Sequence, residues 1–311
     1  MTVAQTQVAP ARPTAMSERL RGLRGRLSRS QAGVGYLLAA PALIVIIAAL
    51  ATPIALLVLY SFWTQDYVTV DTTLTLDNYR TILDRPIYFS VMLRSIAISG
   101  LVTFLTVLLA YPLAYYVAMD VKRHKMMWLI LITLPFWTSY LLRVFAWKII
   151  LGYNGVVNSG LEWLGVIREP LEFLLYNPFA VVLTLAHAWA AFAILPIYVS
   201  LEKIDRSYLE AATDLGDSPW QRFWRITFPL SLPGVIAAAI IIFIPTVGDY
   251  VTPTLVGGPS GLMIANVIQM QFGKANDWPL GAALSIGSMV TVTLIACAFV
   301  WLSKRATERI A

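Results

Sequence analysis

The sequence predicts an all-α protein, a polytopic membrane bundle of six transmembrane helices. Hydrophobic residues make up 58% of the chain and charged residues only 13%, and the mean hydropathy of +0.71 lies outside the range of soluble globular domains. Six apolar stretches are long enough to cross a hydrocarbon core about 30 Å thick, which takes about 20 helical residues. Helices are the economical solution because lipid offers no hydrogen-bond partner to open backbone groups.

The predicted spans cover residues 33–62, 91–119, 126–151, 179–201, 232–248 and 280–302. The first is longer than a bilayer requires and contains Pro41 and Pro53, so we expect a tilt or a kink. The third is the least regular, because it contains Pro135, Arg143 and Lys148. The predicted organisation is a basic tail (1–32), a six-span domain (33–303) and a short tail (304–311).

The distribution of Lys and Arg predicts the orientation. Six lie in the tail 1–32, three between spans two and three, four in the loop 201–231 and three in the tail 304–311, out of 23 in the chain. Cations favour cytoplasmic segments, so both termini and the loop 201–231 are predicted to be cytoplasmic. This bias accounts for the net charge of +6 and makes a nucleic-acid partner unnecessary. The basic tail is too long for a cleaved signal and is expected to be retained.

The polar loop 201–231 contains the local signals of two short helices. Ser207 stands three residues before Glu210, the spacing of a capping box. Gly216 is expected to supply the left-handed residue that ends the first helix. Ser218 and Gln221 have the capping-box spacing again and predict the start of a second helix. Two tightly bounded helices are more than a simple connection between spans needs.

Catalytic and redox chemistry is not predicted. One cysteine allows no disulfide framework and two histidines are too few for a metal site. His187, inside the fourth span, is expected either to make an interhelical hydrogen bond or to lie near a solute path. No phosphate-binding glycine loop, catalytic carboxylate pair or nucleophile with a base appears, so no cofactor and no enzyme activity are expected. Active transport would need an ion gradient or another subunit.

The loop 201–231 resembles the cytoplasmic coupling loop of bacterial ABC importer permeases. The matching residues are Glu210, Ala211, Ala212, Gly216, Ile226 and Pro229. The resemblance implies that the loop docks on an ATP-binding subunit, where the small alanines permit a close approach. Phe228 stands where the motif more often has Leu. A membrane-surface helix with Trp220, Phe223 and Trp224 at the headgroups would explain the second helix, but not the alanine pair.

The resemblance extends over about residues 36–302 and is to the spermidine/putrescine branch of these permeases, the first of its two membrane subunits. The segments that carry it include Pro135-Phe136-Trp137, Gly248-Asp249-Tyr250 and Asp277-Trp278-Pro279. It implies the type I importer permease fold in the bacterial inner membrane. The implied partners are two ATP-binding subunits, a second homologous permease, a periplasmic solute-binding protein, membrane lipid and a small organic solute.

Asp249 is the candidate residue for a cationic cargo. A carboxylate at the end of the fifth span suits an ammonium group, and Tyr250, Trp137 and Tyr140 could add cation–π contacts. Alternatively, Asp249 lies in an outer loop or pairs with Arg143. Relatives in this branch also carry opines and amino-acid derivatives, so another organic solute is an alternative. An ion-coupled secondary transporter would leave the loop 201–231 unexplained.

Overall fold

The computed structural model describes residues 31–67 and 69–308. The predicted basic tail, apart from its last two residues, and the end of the predicted tail 304–311 lie outside the described residues. The helices are α1 (Gln31–Tyr60), α2 (Asp77–Asp84), α3 (Pro86–Tyr115), α4 (Lys125–Thr133), α5 (Tyr140–Ile150), α6 (Val156–Trp163), α7 (Pro178–Glu202), α8 (Arg206–Asp214), α9 (Pro219–Arg222), α10 (Phe228–Val247), α11 (Ile264–Phe272) and α12 (Trp278–Glu308). Two short strands are β1 (Thr64–Asp66) and β2 (Thr69–Asp71).

The described residues divide into two compact units, with the boundary after Leu56. The first unit consists of most of α1. This helix continues through both Pro41 and Pro53. The tilt or kink expected at these prolines stays a prediction. Its segment Leu38–Tyr60 has a mean hydropathy of 2.9, the highest of the spans. Its length of 30 residues exceeds what a bilayer requires.

In the described part of the chain, five helices are long and apolar enough to span a membrane, and there are six spans if a bent pair of helices counts as one. The bent pair is the predicted third span. Its two halves, Lys125–Trp137 and Tyr140–Ile150, meet at 81°. The irregularity that the sequence predicts for this span is therefore a bend that divides it into two helices. Pro135 lies in a 3₁₀ turn, and Thr138 and Ser139 are extended, so the α-helical hydrogen bonds are interrupted there.

The core of the second unit is formed by α3, α7 and α10. Val102, Leu185, Ile197 and Ile242 are completely buried among them. Gly234 allows α10 to approach α7 closely, because a Cβ at this position would lie 2.5 Å from the Pro196 carbonyl oxygen and from Ser200 Cβ. Small residues at helix crossings are how membrane bundles bring backbones together.

A small β-hairpin was not predicted from the sequence. β1 pairs antiparallel with β2, with Gln65 opposite Val70. The hairpin contacts the start of α12, where Gln65 Oε1 accepts a hydrogen bond from the Trp278 amide at 3.2 Å. The Asn276 side chain donates to the Tyr67 carbonyl, also at 3.2 Å.

Candidate functional site

The helix α8, which carries the alanine pair, begins differently from the prediction. Asp205 is its N-cap residue, and Asp205 Oδ1 accepts a hydrogen bond from the Ser207 amide at 2.9 Å. The predicted cap at Ser207 is wrong, since Ser207 already lies inside the helix. The hydrogen bond from the Ser207 amide lowers the pKa of Asp205 below its ordinary value, because it stabilises the ionised carboxylate.

The end of α8 agrees with the prediction. Gly216 has a φ of +88°. The Asp217 amide donates to the Ala212 carbonyl and the Gly216 amide donates to the Thr213 carbonyl, both at 2.9 Å, which is the Schellman pattern. No atom lies within 4 Å of the position that a Gly216 Cβ would take. Glycine is required here by backbone conformation and not by crowding within this chain.

The second predicted helix start is present, but it leads directly into the fifth span. Ser218 Oγ accepts from the Gln221 amide at 3.3 Å, and Gln221 Oε1 accepts from the Ser218 amide at 2.8 Å. From Pro219 the chain continues through a π turn (Phe223–Thr227) into α10 without a break. The fifth span therefore begins earlier than the predicted residue 232. The π turn lies just before Pro229, and a departure from the regular α-helical bonding pattern is expected there because Pro229 has no amide hydrogen to donate.

Two cation contacts fix α8 against the start of this span. Arg222 Nη1 donates to Thr213 Oγ1 at 2.7 Å. Arg225 Nη1 forms an ion pair with Asp217 Oδ1 at 2.8 Å, and the Asp217 side chain is only 18% exposed. Together with the capping box, these contacts make the segment from α8 to α10 one connected block.

The motif residues of the loop divide into two sets. Ala211, Ala212, Ile226 and Pro229 line one groove of about 490 Å³ between α8 and the start of α10. Ala212 is 5% exposed, so it packs within this chain, whereas Ala211 and Glu210 are exposed. Glu210 and Gly216 are not part of the groove lining. The expectation that both alanines are free to face another protein therefore needs correction at Ala212.

The aromatic residues of the loop also divide. Trp220 and Trp224 are exposed, as a headgroup position would require. Phe223 packs instead against Tyr111 and Tyr115 of α3, with ring centroids 5.8 and 6.1 Å away. The membrane-surface interpretation therefore does not describe Phe223, which belongs to the edge of the core.

Asp249 and Tyr140 meet just after the C-terminal end of α10, beside the break in the third span. The Tyr140 hydroxyl donates to Asp249 Oδ2. The Tyr140 hydroxyl oxygen also lies 2.6 Å from Thr252 Oγ1. Because Tyr140 donates its one hydroxyl hydrogen to Asp249, Thr252 is the donor in this second bond. Asp249 Oδ1 accepts from the amides of Val251 and Thr252 at 2.8 and 3.4 Å. Asp249 thus joins the break to the segment that follows α10.

Arg143 is not the partner of Asp249. Its Nη1 donates to the Ala188 carbonyl at 3.2 Å, and its guanidinium lies over the rings of Phe136 and Tyr140 at 5.2 and 5.9 Å. Among the described residues, the ion pairs are Arg80–Asp77, Lys125–Glu202 and Arg225–Asp217. The alternative in which Asp249 pairs with Arg143 is therefore not the arrangement in the structure.

Other polar and aromatic groups lie near this break. Trp137 is 76% and Tyr250 47% exposed. His187 is exposed and lies between the rings of Phe136 and Trp147, with centroids 5.8 and 5.4 Å away. The contacts of Thr252 with Tyr140 and of Phe136 with Arg143 were not predicted from the sequence. Over residues 31–67 and 69–308, no group of three or more His, Cys, Asp and Glu is placed to hold a metal ion.

The described residues thus form a multi-pass helical bundle with a capped loop helix before its fifth span. Residues 32–308 match the family described as binding-protein-dependent transport system inner membrane component, and the chain belongs to this family. It is therefore an inner-membrane permease subunit of an ABC importer and not an enzyme, since such importers hydrolyse ATP in separate subunits. This membership decides against an ion-coupled secondary transporter.

Curated relatives agree with this assignment, and a solved structure agrees with the fold. The chain is 38% identical over 250 residues to the spermidine/putrescine transport system permease protein PotB of Escherichia coli (strain K12), covering 80% of this chain and 90% of that protein. The PotB protein of Haemophilus influenzae is 36% identical over 222 residues, covering 71% and 77%. In fold, the chain is similar to a bacterial alginate ABC transporter, with a TM-score of 0.71 at 18% identity, covering 88% of this chain and 95% of that one.

Proposed function

We propose that this permease carries a polyamine, such as spermidine or putrescine, or a related small organic cation. The PotB relatives are named for spermidine and putrescine and match this chain over most of their length. The observation that carries the proposal is Asp249, a half-buried carboxylate with no cationic partner in the described part of the chain.

The geometry around Asp249 suits an ammonium group. Its Oδ2 accepts one hydrogen bond, from Tyr140, and keeps acceptor capacity for a second donor. The exposed rings of Trp137 and Tyr250 can add cation–π contacts as the cargo arrives. Asp249, Tyr250, Trp137 and Tyr140 thus form the proposed cargo path.

We propose that the loop 201–231 couples the permease to ATP hydrolysis. Glu210 and Ala211 are exposed on α8, and the adjacent groove is lined by Ala212, Ile226 and Pro229. An ATP-binding subunit that pushes on α8 would move α10 with it, because Arg222 bonds to Thr213 of α8 and Arg225 to Asp217 just after α8, and both arginines lie on the helical segment that continues into α10. A rigid block transmits displacement better than a flexible connection.

The proposed orientation places both termini and this loop in the cytoplasm, because Lys and Arg concentrate in those segments. The complete importer would contain two ATP-binding subunits at the loop and a second homologous permease, which the branch resemblance favours as a different chain. A periplasmic solute-binding protein would deliver the cargo.

Uptake measurements test the cargo proposal. The chain would be produced with its ATP-binding subunit, second permease and binding protein in cells that lack polyamine import. We expect accumulation of radiolabelled spermidine or putrescine that requires this chain and is blocked by excess unlabelled polyamine. Transport of an uncharged or anionic solute, with no polyamine uptake, would overturn the proposal.

A further inference from the structure

Two backbone carbonyls at the end of α3 receive hydrogen bonds from cations of other elements. α3 continues through a π turn (Tyr116–Asp120), and Lys125 Nζ donates to the Ala118 carbonyl of this turn at 2.7 Å. Arg206 Nη2 donates to the Met119 carbonyl at 3.2 Å. The last carbonyls of a helix have no partner within the helix and carry partial negative charge, so cations are favoured there.

Lys125 makes a second connection. Its Nζ lies 2.9 and 2.8 Å from Glu202 Oε1 and Oε2. The side chains of Lys125 and Glu202 are 24% and 41% exposed, so the pair is partly shielded from water. Glu202 is the last residue of α7, Lys125 the first of α4 and Arg206 the first of α8. The ends of four helices therefore meet at one polar junction.

Such a junction adds something that apolar packing does not. Contacts between apolar helix surfaces resist separation, but they are non-directional and allow sliding. A charged donor on a carbonyl fixes a distance and a direction. Because the Lys125–Glu202 pair is partly exposed, its effect on stability is small. We expect the pair to matter more for holding the helix ends in fixed relative positions than for the free energy of unfolding.

The junction leads towards the bent third span. α4 begins at Lys125 and continues through a 3₁₀ turn (Leu134–Trp137) to the bend, beyond which Tyr140 bonds to Asp249. We propose that Arg206, Lys125 and Glu202 are positioning residues that transmit a displacement of α8 to α3 and α4, and so to the break in the third span. This inference rests on the proposed coupling function of the loop 201–231.

The test uses the complete importer in proteoliposomes, with Arg206→Gln and Lys125→Met as variants. Lys203→Gln is the matched control, because Lys203 is an exposed cation of the same loop whose charge is not used at the junction.

We expect normal co-purification of the ATP-binding subunit and sustained ATP hydrolysis in both Arg206→Gln and Lys125→Met. The ATP hydrolysed per spermidine imported should rise about fivefold or more, within the range of typical coupling effects. Arg206→Lys, which keeps a donor, should restore most of the coupling.

A second measurement does not depend on the cargo. Ser139→Cys, combined with Cys297→Ser, places one thiol at the break. Its labelling rate should change when ATP and vanadate trap the wild-type importer, and this change should be lost with Arg206→Gln. If Arg206→Gln keeps the wild-type ratio of ATP hydrolysed to spermidine imported and also keeps the labelling change, the junction is structural and the inference is wrong. The same conclusion follows if the only effect of the variant is a fall in membrane abundance.

Ala211→Asp separates this inference from the proposed function. If Ala211→Asp leaves ATPase binding and uptake normal, the coupling assignment of the loop fails. If it releases the ATP-binding subunit while Arg206→Gln keeps normal coupling, only the junction fails.

Discussion

Asp249→Asn should impair polyamine uptake with little effect on folding. The asparagine oxygen can still accept from the Val251 amide, as Asp249 Oδ1 does at 2.8 Å. Its amino group can donate to the Tyr140 hydroxyl oxygen. The change replaces charge-assisted bonds of about 1.5–3 kcal/mol with neutral ones of about 0.5–1.5 kcal/mol, so each retained bond is weakened by about 1 kcal/mol.

The cost to transport is a separate effect, which normalising uptake to the amount of folded permease isolates. Removing one favourable charge contact with an ammonium group costs about 1–3 kcal/mol, which corresponds to a loss of about 5- to 150-fold in the affinity of the path. The assay is the initial rate of radiolabelled spermidine uptake, normalised to membrane abundance of the permease. Binding-protein docking and ATPase co-purification should be unchanged.

Tyr140→Phe is the matched control, because it removes the hydroxyl bond to Asp249 and keeps the ring for cation–π contact. We expect it to reduce uptake less than Asp249→Asn. Arg143→Gln should not mimic Asp249→Asn, since Arg143 donates to the Ala188 carbonyl. Normal uptake at normal abundance in Asp249→Asn would refute the role of Asp249. Equal loss of abundance in Asp249→Asn and Tyr140→Phe would assign Asp249 to structure alone.

Three further predictions concern coupling, topology and packing. Ala211→Asp should leave the permease in the membrane but abolish uptake and ATPase co-purification; normal values of both would exclude the coupling loop. A reporter fused after Ala311 should be active in the cytoplasm and one inserted near Asn158 in the periplasm, and the reverse at either site would overturn the topology. Gly234→Ala should lower stability by about 1–3 kcal/mol through overpacking, measured as thermal inactivation in detergent. Gly100→Ala is its control, because no atom lies within 4 Å of that Cβ position, and equal effects would contradict the close crossing.

Features that depend on local chemistry could be predicted from the sequence. The Ser218 capping box and the left-handed Gly216 follow from rules that involve residues a few positions apart. The spans follow from the length of apolar stretches. The choice of Asp205 over Ser207 as N-cap could not be predicted, since both are good capping residues and the backbone of Asp205 decides.

Features that depend on distant partners were not predicted. Pro135 marked the third span as irregular, but not the 81° bend. The contact between Tyr140 and Thr252 joins residues 112 positions apart and has no sequence spacing to reveal it. The same holds for the hydrogen bond from Arg206 to the Met119 carbonyl, which joins residues 87 positions apart. The distribution of Lys and Arg in the sequence predicts only the side of the membrane on which Arg206 lies.

Site-specific photo-crosslinking from Glu210 tests the central claim most directly. A photoreactive amino acid would replace Glu210 in the assembled importer, with Trp163, 86% exposed on α6, as the control position. The coupling account predicts crosslinks from position 210 to the ATP-binding subunit, with a yield that changes on ATP–vanadate trapping, and none from position 163. Crosslinks to the ATP-binding subunit from position 163 and none from position 210 would contradict it.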